Sequence, residues 1–286
     1  MIAGIETGGT KVVLALAESG RPDTPVSSWT IPTRGPRVTV RAILELLGAH
    51  DIDAIGLGSF GPVGVDPDDA RYGVLGETPK PGWSGFDQRA ALGVVAPVAV
   101  VSDVQAAALG ESTAPGAPAS LVYATVGTGI GMGAVVDGRI PAGLGHPELG
   151  HLLIRRHPGD PFPGHCPRHR DCLEGLAAGP AIAARQAAFP GLDDEAIIAD
   201  ALAQFVVAII YAHAPERIIL GGGVLGRPGL REAVRRRASV LIAGYLGNHP
   251  LTNPHSGYLA APAWGSDSGV LGALALAEGH RVGDVR

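Results

Sequence analysis

Three short apolar segments each run into a cluster of glycines, and this pattern constrains the fold more than any other feature of the chain. Residues 2–6 lead into Thr7-Gly8-Gly9-Thr10-Lys11, residues 121–126 into Gly127-Thr128-Gly129-Ile130-Gly131, and residues 217–220 into Gly221-Gly222-Gly223-Val224. Runs of Val, Ile and Leu this short read as buried strands. Glycine lets backbone N–H groups approach an anion, Thr adds a hydroxyl donor and Lys a point charge. The first cluster joins two apolar strands, 2–6 and 12–17, in a hairpin. It is not a Walker A loop, because G-x-x-x-x-G-K-[ST] is absent. Alone it reads as an ordinary Gly-rich hairpin; three such turns after three strands point to a nucleotide cradle gripped from two domains.

The rest of the chain alternates in the same way. Strands are expected near residues 28–32, 54–57, 98–101 and 132–136, and helices near 37–49, 104–111, 177–188, 194–213, 230–243 and 268–278. This is the pattern of an α/β fold with functional loops at the strand ends. The Ala-Pro-Gly-Ala-Pro-Ala stretch, 114–119, is a plausible hinge. Because strand, Gly/Thr turn and strand recur after it, an internal duplication is expected.

Composition removes several classes. The 286 residues are 46% hydrophobic, enough for one large or two ordinary domains. Net charge is −5 with no basic block, which argues against nucleic acid as the partner. The opening residues lack the pattern of a secretory signal. The longest uninterrupted apolar runs, such as 205–212, fall short of the ~20 residues of a membrane span. A cytoplasmic globular protein is expected. Lysine occurs only at Lys11 and Lys80 among 22 basic residues. A GC-rich genome explains the bias, and under it a surviving lysine marks a place where a compact ammonium is needed.

Two further groups carry chemistry. Asp103 follows an apolar strand and opens a predicted helix, where it could be a helix cap or a functional carboxylate. Cys166, His169 and Cys172 form a C-x2-H-x2-C clip of preferred zinc ligands, with His146, His151, His157 and His165 nearby as possible fourth ligands. Two cysteines so close together in such a chain argue against a structural disulfide.

The runs I-E-T-G-G-T-K, G-S-F-G-P-V, S-D-V-Q-A-A-A-L-G-E, V-G-T-G-I-G-M-G, H-P-E-L-G-H, C-P-R-H-R-D-C-L-E-G-L and I-I-L-G-G-G-V, in this order, resemble the ROK (repressor, open reading frame, kinase) family of sugar kinases. T-P-K-P-G-W and I-R-R-H-P look most like its bacterial fructokinase branch. The resemblance implies an α/β, actin-like and hexokinase-like (ribonuclease H-like) duplicated fold of two domains around a cleft. The boundaries read as 1–115 plus 268–286 for a smaller domain and 116–267 for a larger one. It implies that Asp103 is the general base and that Mg²⁺·ATP lies across Gly8, Gly9, Thr10, Lys11, Thr128, Gly129, Pro180, Gly221, Gly222, Gly223, Val224 and Leu225. A hexose, fructose favoured, would meet Gly61, Pro62, Ser102, Asp103, Glu148, His151 and Glu174. Domain closure would expel water from the reaction.

The resemblance also implies a structural zinc on His151, Cys166, His169 and Cys172, with His157 the runner-up to His151, and a homodimer. Ser102 stands where glucose-using members carry Asn, which favours fructose, and Gln105 replaces a usual Asn, which leaves the hydroxyl contacts there and other hexoses open. A non-catalytic sugar-binding or sugar-sensing protein is the alternative from another class. The phosphate hairpin within the first ten residues leaves no room for a DNA-binding helix pair, and a sugar binder needs no nucleotide cradle.

Overall fold

The first glycine turn closes a hairpin between β1 (Ile2–Thr7) and β2 (Lys11–Ala17), paired antiparallel in the computed structural model, which describes residues 1–282. Strict alternation drives both strands. Ala3, Ile5, Val12, Leu14 and Leu16 enter one core, while Ile2, Val13, Ala15 and Ala17 enter the core on the opposite face. β3 (Pro25–Pro32) adds an edge to β2, and β4 (Ala54–Ser59) and β5 (Val98–Ser102) extend β1 in parallel, giving the order β3-β2-β1-β4-β5. Helix α1 (Pro36–Leu47) covers the first core with Val40, Ile43 and Leu47, started by Pro36 in its first turn. The short α2 (Gln88–Leu92), capped by Asp87, follows before β5, and α3 (Asp103–Ser112) follows directly from β5.

The second sheet has the order β7-β6-β8-β9, from β6 (Leu121–Val126), β7 (Ile130–Val135), β8 (Arg217–Gly221) and β9 (Leu259–Ala260). Its hairpin β6-β7 with β8 and β9 parallel beyond β6 repeats β1-β2 with β4 and β5 beyond β1. The expected duplication is therefore visible in strand order. Helices α4 (Leu173–Ala177), α5 (Gly179–Ala188), α6 (Glu195–His213), α7 (Leu230–Ile242) and α8 (Ser268–Arg281) complete the elements. The single helix expected over 177–188 is broken at Ala178, and α5 restarts with Pro180 in its first turn. α2 and β9 escaped the sequence reading because five and two residues are too few to show a period.

The chain divides into two compact units: Met1–Ala119, Gly133–His146 and the stretch from Ala263 in one, Ser120–Met132 and Pro147–Pro262 in the other. The expected break near 114–119 is close to the end of the first segment. The other boundaries differ, for physical reasons. Gly133 lies so close to the start of α3 that a Cβ would overlap the Val104 carbonyl. Glu111 of α3 accepts from the N–H groups of Ala263 and Trp264, at 2.8 and 3.2 Å, so the C-terminal segment joins before residue 268. The last four positions of the expected 268–286 segment lie outside the described residues.

Helix α6 is long and apolar enough to cross a membrane by length and composition, and most of it is buried in its own unit against α7 and α4. The run-length reading stopped short because Asp200 and Gln204 interrupt the apolar residues without ending the helix. The Arg235–Arg237 run, read as a solvated helix face, is partly engaged: Arg235 pairs with Glu232 and donates to the Leu251 carbonyl, and Arg237 pairs with Asp200.

Helices α3 and α8 meet through glycine. A Cβ on Gly272 would overlap the Ala106 carbonyl, and one on Gly110 the Ser268 carbonyl. Gly272→Ala should therefore cost about 1–3 kcal/mol in urea unfolding. Gly226→Ala, with open space at its Cβ, should stay within about 0.5 kcal/mol. Equal stabilities for the two variants would refute the backbone contact.

Candidate active site

In the first unit the turn of residues 8–11 is closed by Gly8 N–H donating to the Lys11 carbonyl at 2.9 Å. β3 braces it: the Thr33 hydroxyl donates to the Gly8 carbonyl at 2.7 Å and the Thr33 N–H to the Thr10 carbonyl. Thr10 and Lys11 are exposed at the tip. Asp103 is the first residue of α3, half-buried, and its Oδ1 accepts from the Val104 N–H at 2.9 Å. Its expected duty as the cap falls to its neighbour. The Ser102 hydroxyl accepts from Gln105 N–H, and the Gln105 side chain accepts from Ser102 N–H, a reciprocal capping box. Both side chains are buried, so Ser102 and Gln105 are accounted for by the cap, and Asp103 is released from it.

Glu6, in the same unit, was not singled out in the sequence. It is the one charged residue of the apolar strand β1, and its carboxyl lies where a Cβ on Gly269 would fall. Burial pushes its pKa up to about 7, the negative charge of Asp103 adds to the shift, and Lys11 opposes it. A lone Glu inside a buried strand was the available signal. Gly61 and Pro62, after β4, are exposed and joined by a cis peptide; His146 packs beside Gly61. Trp83 is a buried anchor, its Nε1 donating to the Arg34 carbonyl at 2.8 Å and its ring edge-on to Phe60 and Phe86.

The second unit gathers the other expected nucleotide residues. The turn at residues 127–129 is held by Gly127 N–H to Gly129 carbonyl, and Gly179 at the start of α5 donates to the Gly127 carbonyl at 2.7 Å. Gly222, at φ +89°, sits where a Cβ would overlap Val126, and Gly221 has no room beside Tyr123. Val224 and Leu225 are buried in the turn that follows; Thr128 and Pro180 are exposed. Gly127 and Gly223 differ from their neighbours: nothing lies within 4 Å of either Cβ position.

The metal cluster is well formed. His151, Cys166, His169 and Cys172 place one ligand atom each within 4.8 Å of one another. Cys166 Sγ is 3.8 Å from His151 Nδ1 and 3.9 Å from His169 Nδ1, and Cys172 Sγ is 3.6 Å from His151 Nδ1. Ligands at about 2.0–2.3 Å from a tetrahedral zinc are separated by about 3.5 Å, so the donor set fits that ion. Paired backbone bonds between Cys166 and Arg170, with Arg170 at φ +62°, fold the knuckle, and Leu153 bridges Cys172. His157 is not in this group; its Nδ1 accepts from Gly159 N–H. Burial raises the Cys172 thiol, and the Cys166 thiol beside it raises it further.

Glu174, expected beside sugar, also makes a backbone contact. Its Oε2 accepts from the Ile130 N–H at 3.0 Å, which ties α4 to the 127–129 turn. Glu148, exposed, precedes the short helix Leu149–His151 that carries His151. Gly150 lets that helix press on β7, since a Cβ there would overlap the Ile130 carbonyl.

The ROK family model matches residues 2–280. A "Putative fructokinase" of Bacillus subtilis (strain 168) is 41% identical over 97% of this chain and 95% of that protein. A "Fructokinase" of Pediococcus pentosaceus is 41% identical over 97% and 98%. The chain belongs to the ROK family. A crystal structure of a ROK hexokinase from Thermus thermophilus superposes with a TM-score of 0.80 at 28% identity, covering 99% of each chain. The hexokinase-like fold expected from the sequence is thus the fold of this ROK protein.

Within the first unit, then, Asp103 and Lys11 both act electrostatically on Glu6; within the second, the turn, α5 and the Gly222 corner meet. The Glu6 shift has a measurable sign. Folded protein keeps a proton on Glu6 that the unfolded chain has released, so between about pH 4.5 and 7 this group lowers stability as pH rises. Glu6→Gln should flatten the fall in unfolding free energy across that window. An unchanged slope would show that Glu6 titrates as an ordinary carboxylate.

Proposed function

We infer that this ROK protein is an ATP-dependent fructokinase, transferring the γ-phosphoryl group of Mg²⁺·ATP to the 6-hydroxyl of D-fructose. The observation that carries the reading is Asp103, half-buried at the first turn of α3, where Ser102 and Gln105 make the capping box, and close enough to Glu6 to raise its pKa. The fructokinases among its relatives give the substrate.

In this reading Asp103 accepts the proton of the attacking hydroxyl. The sugar oxygen forms its bond to γ-phosphorus as the bond from γ-phosphorus to the β–γ bridging oxygen breaks, and ADP departs with that oxygen. Most of the acceleration is positioning and charge neutralisation, supplied by Lys11, Thr10 and Thr128 with the N–H groups of the glycine turns. Gly61, Pro62, Glu148 and His151 would bind the sugar; Pro180 and the Gly221–Leu225 corner would border the nucleotide. Glu174 serves the same reaction by fixing the 127–129 turn. The free, buried cysteines fit a reducing cytoplasm, where ATP is also found.

His151, Cys166, His169 and Cys172 would hold a structural zinc, which has no open position for a reactive water when all four bind. Its chemistry is to lock the loop that carries His151 and leads into α4.

Asp103→Asn should lower kcat on fructose by at least about 100-fold while ATP affinity stays within about twofold. Near-normal kcat would remove Asp103 as the base. Cys166→Ser and Cys172→Ser should each lose most of about one equivalent of zinc by elemental analysis. Wild-type protein that carries no zinc after expression in zinc-supplemented medium would refute the site.

A further inference from the structure

We propose that Lys80 is a second phosphate-binding lysine, whose ammonium holds the phosphoryl group in transit between nucleotide and sugar. The proposal rests on the phosphoryl-transfer reading above and adds a residue to it. A Cβ built on Gly9 would lie 3.2 Å from Lys80 Cε and 3.8 Å from Lys80 Nζ. The lysine stem therefore runs over the backbone of the phosphate hairpin at its tip, and it can do so because residue 9 has no side chain.

The segment presenting Lys80 is built to hold a position. Gly76 N–H donates to the Pro62 carbonyl at 2.8 Å, which ties the segment to the expected sugar contact at Gly61 and Pro62. Thr78 and Ser84 exchange hydrogen bonds across it, Thr78 N–H to Ser84 Oγ at 3.1 Å and Ser84 Oγ to the Thr78 carbonyl at 3.2 Å. Trp83 N–H donates to the Lys80 carbonyl, and the Trp83 ring is the buried anchor already described. The segment thus starts at the sugar side and delivers its ammonium to the phosphate side.

Composition makes the choice of residue informative. Of 22 basic side chains only Lys11 and Lys80 are lysines, and both lie at the same hairpin. A phosphoryl group in transfer spreads charge over its equatorial oxygens, and a compact ammonium with three rotatable donors can follow those oxygens as they move. A planar guanidinium presents its donors in a fixed fork and cannot follow the oxygens in the same way. Lys11, first residue of β2, is exposed at the tip of the same hairpin, so two ammonium groups stand at this one turn.

The test separates a lysine on the moving phosphate from one that only braces the hairpin. The full-length protein and Lys80→Met are compared for affinity to Mg²⁺·AMP-PNP, which carries a γ-phosphate group, and to Mg²⁺·ADP, which does not. Turnover with Mg²⁺·ATP and fructose is measured in parallel. Lys80→Met should weaken AMP-PNP about tenfold or more, leave ADP within about twofold, and lower kcat about 100-fold with the KM for fructose little changed. Lys80→Arg should recover part of the AMP-PNP affinity and less of kcat. Equal weakening of both nucleotides, or no change in either, would overturn the assignment. Lys80→Gln is read in the same way should the methionine variant fold poorly. Wild-type protein that turns over no fructose, yet discriminates AMP-PNP from ADP through Lys80, would sink the fructokinase reading alone. Turnover by wild type with discrimination independent of Lys80 would sink this proposal alone.

Discussion

Backbone lies against backbone at the centre of the first unit, and the position of Asp103 depends on it. Helix α8 runs directly over β1 and β4, where a Cβ on Gly4 would come 2.7 Å from the Leu274 nitrogen and one on Gly56 would overlap the Ala273 carbonyl. The same helix then meets α3 through Gly272 and Gly110. Close packing of this kind gains dispersion contacts that side chains would prevent, and it leaves the elements few ways to shift. β1 carries the hairpin and Glu6, α3 carries Asp103, and α8 joins them. The apolar alternation of β1 and β2 fills both sides of the sheet, while the glycines set the distances.

The second unit fixes its turn by a different device. No charged residue stands within residues 127–131; the turn is held from outside by Glu174 on Ile130 and by the first N–H of α5 on Gly127. Glu174 is two residues beyond Cys172, so the metal cluster and the turn share one short helix, α4. A metal that locks Cys172 would also hold Glu174, and through it the Ile130 N–H. The same knuckle is clipped a second time by the buried ion pair of Arg185 with Asp160, at 2.9 Å, over the Phe162 ring. Unpairing a buried ion pair is costly, so this contact keeps the loop on α5. The loop that carries the His/Cys cluster is therefore tied to the 127–129 turn as well as to the short helix that holds His151.

Much of the fold was legible because its signals are local. The alternation in β1 and β2, the apolar runs of β4 to β8 and the glycine clusters all stand in the sequence, and the structure keeps them within a few residues. The metal cluster was legible for the same reason, since three of its members lie within seven consecutive residues. What was not legible depends on partners far along the chain. Nothing local shows that Glu111 would recruit Ala263 and Trp264, or that Glu174 would accept from the Ile130 N–H. Ser102 and Asp103 show the limit at its finest. Both are good caps, and only the reach of Gln105 decides that serine, not aspartate, makes the capping box.

That division matters because the first unit holds two carboxylates that interact. Two negative charges close together in a partly buried place cannot both ionise without cost. The geometry resolves the conflict by depth: Glu6 sits inside β1 against α8, and its pKa rises to about 7, with burial the larger cause and Asp103 the next. The deeper carboxyl is then the one that takes up a proton near neutral pH, which relieves the repulsion on Asp103 at the mouth of α3. Lys11 pulls Glu6 in the opposite direction, so this one carboxyl feels the charge of the hairpin and the charge at the start of α3 together. The buried strand glutamate is where the electrostatics of β1, β2 and α3 meet.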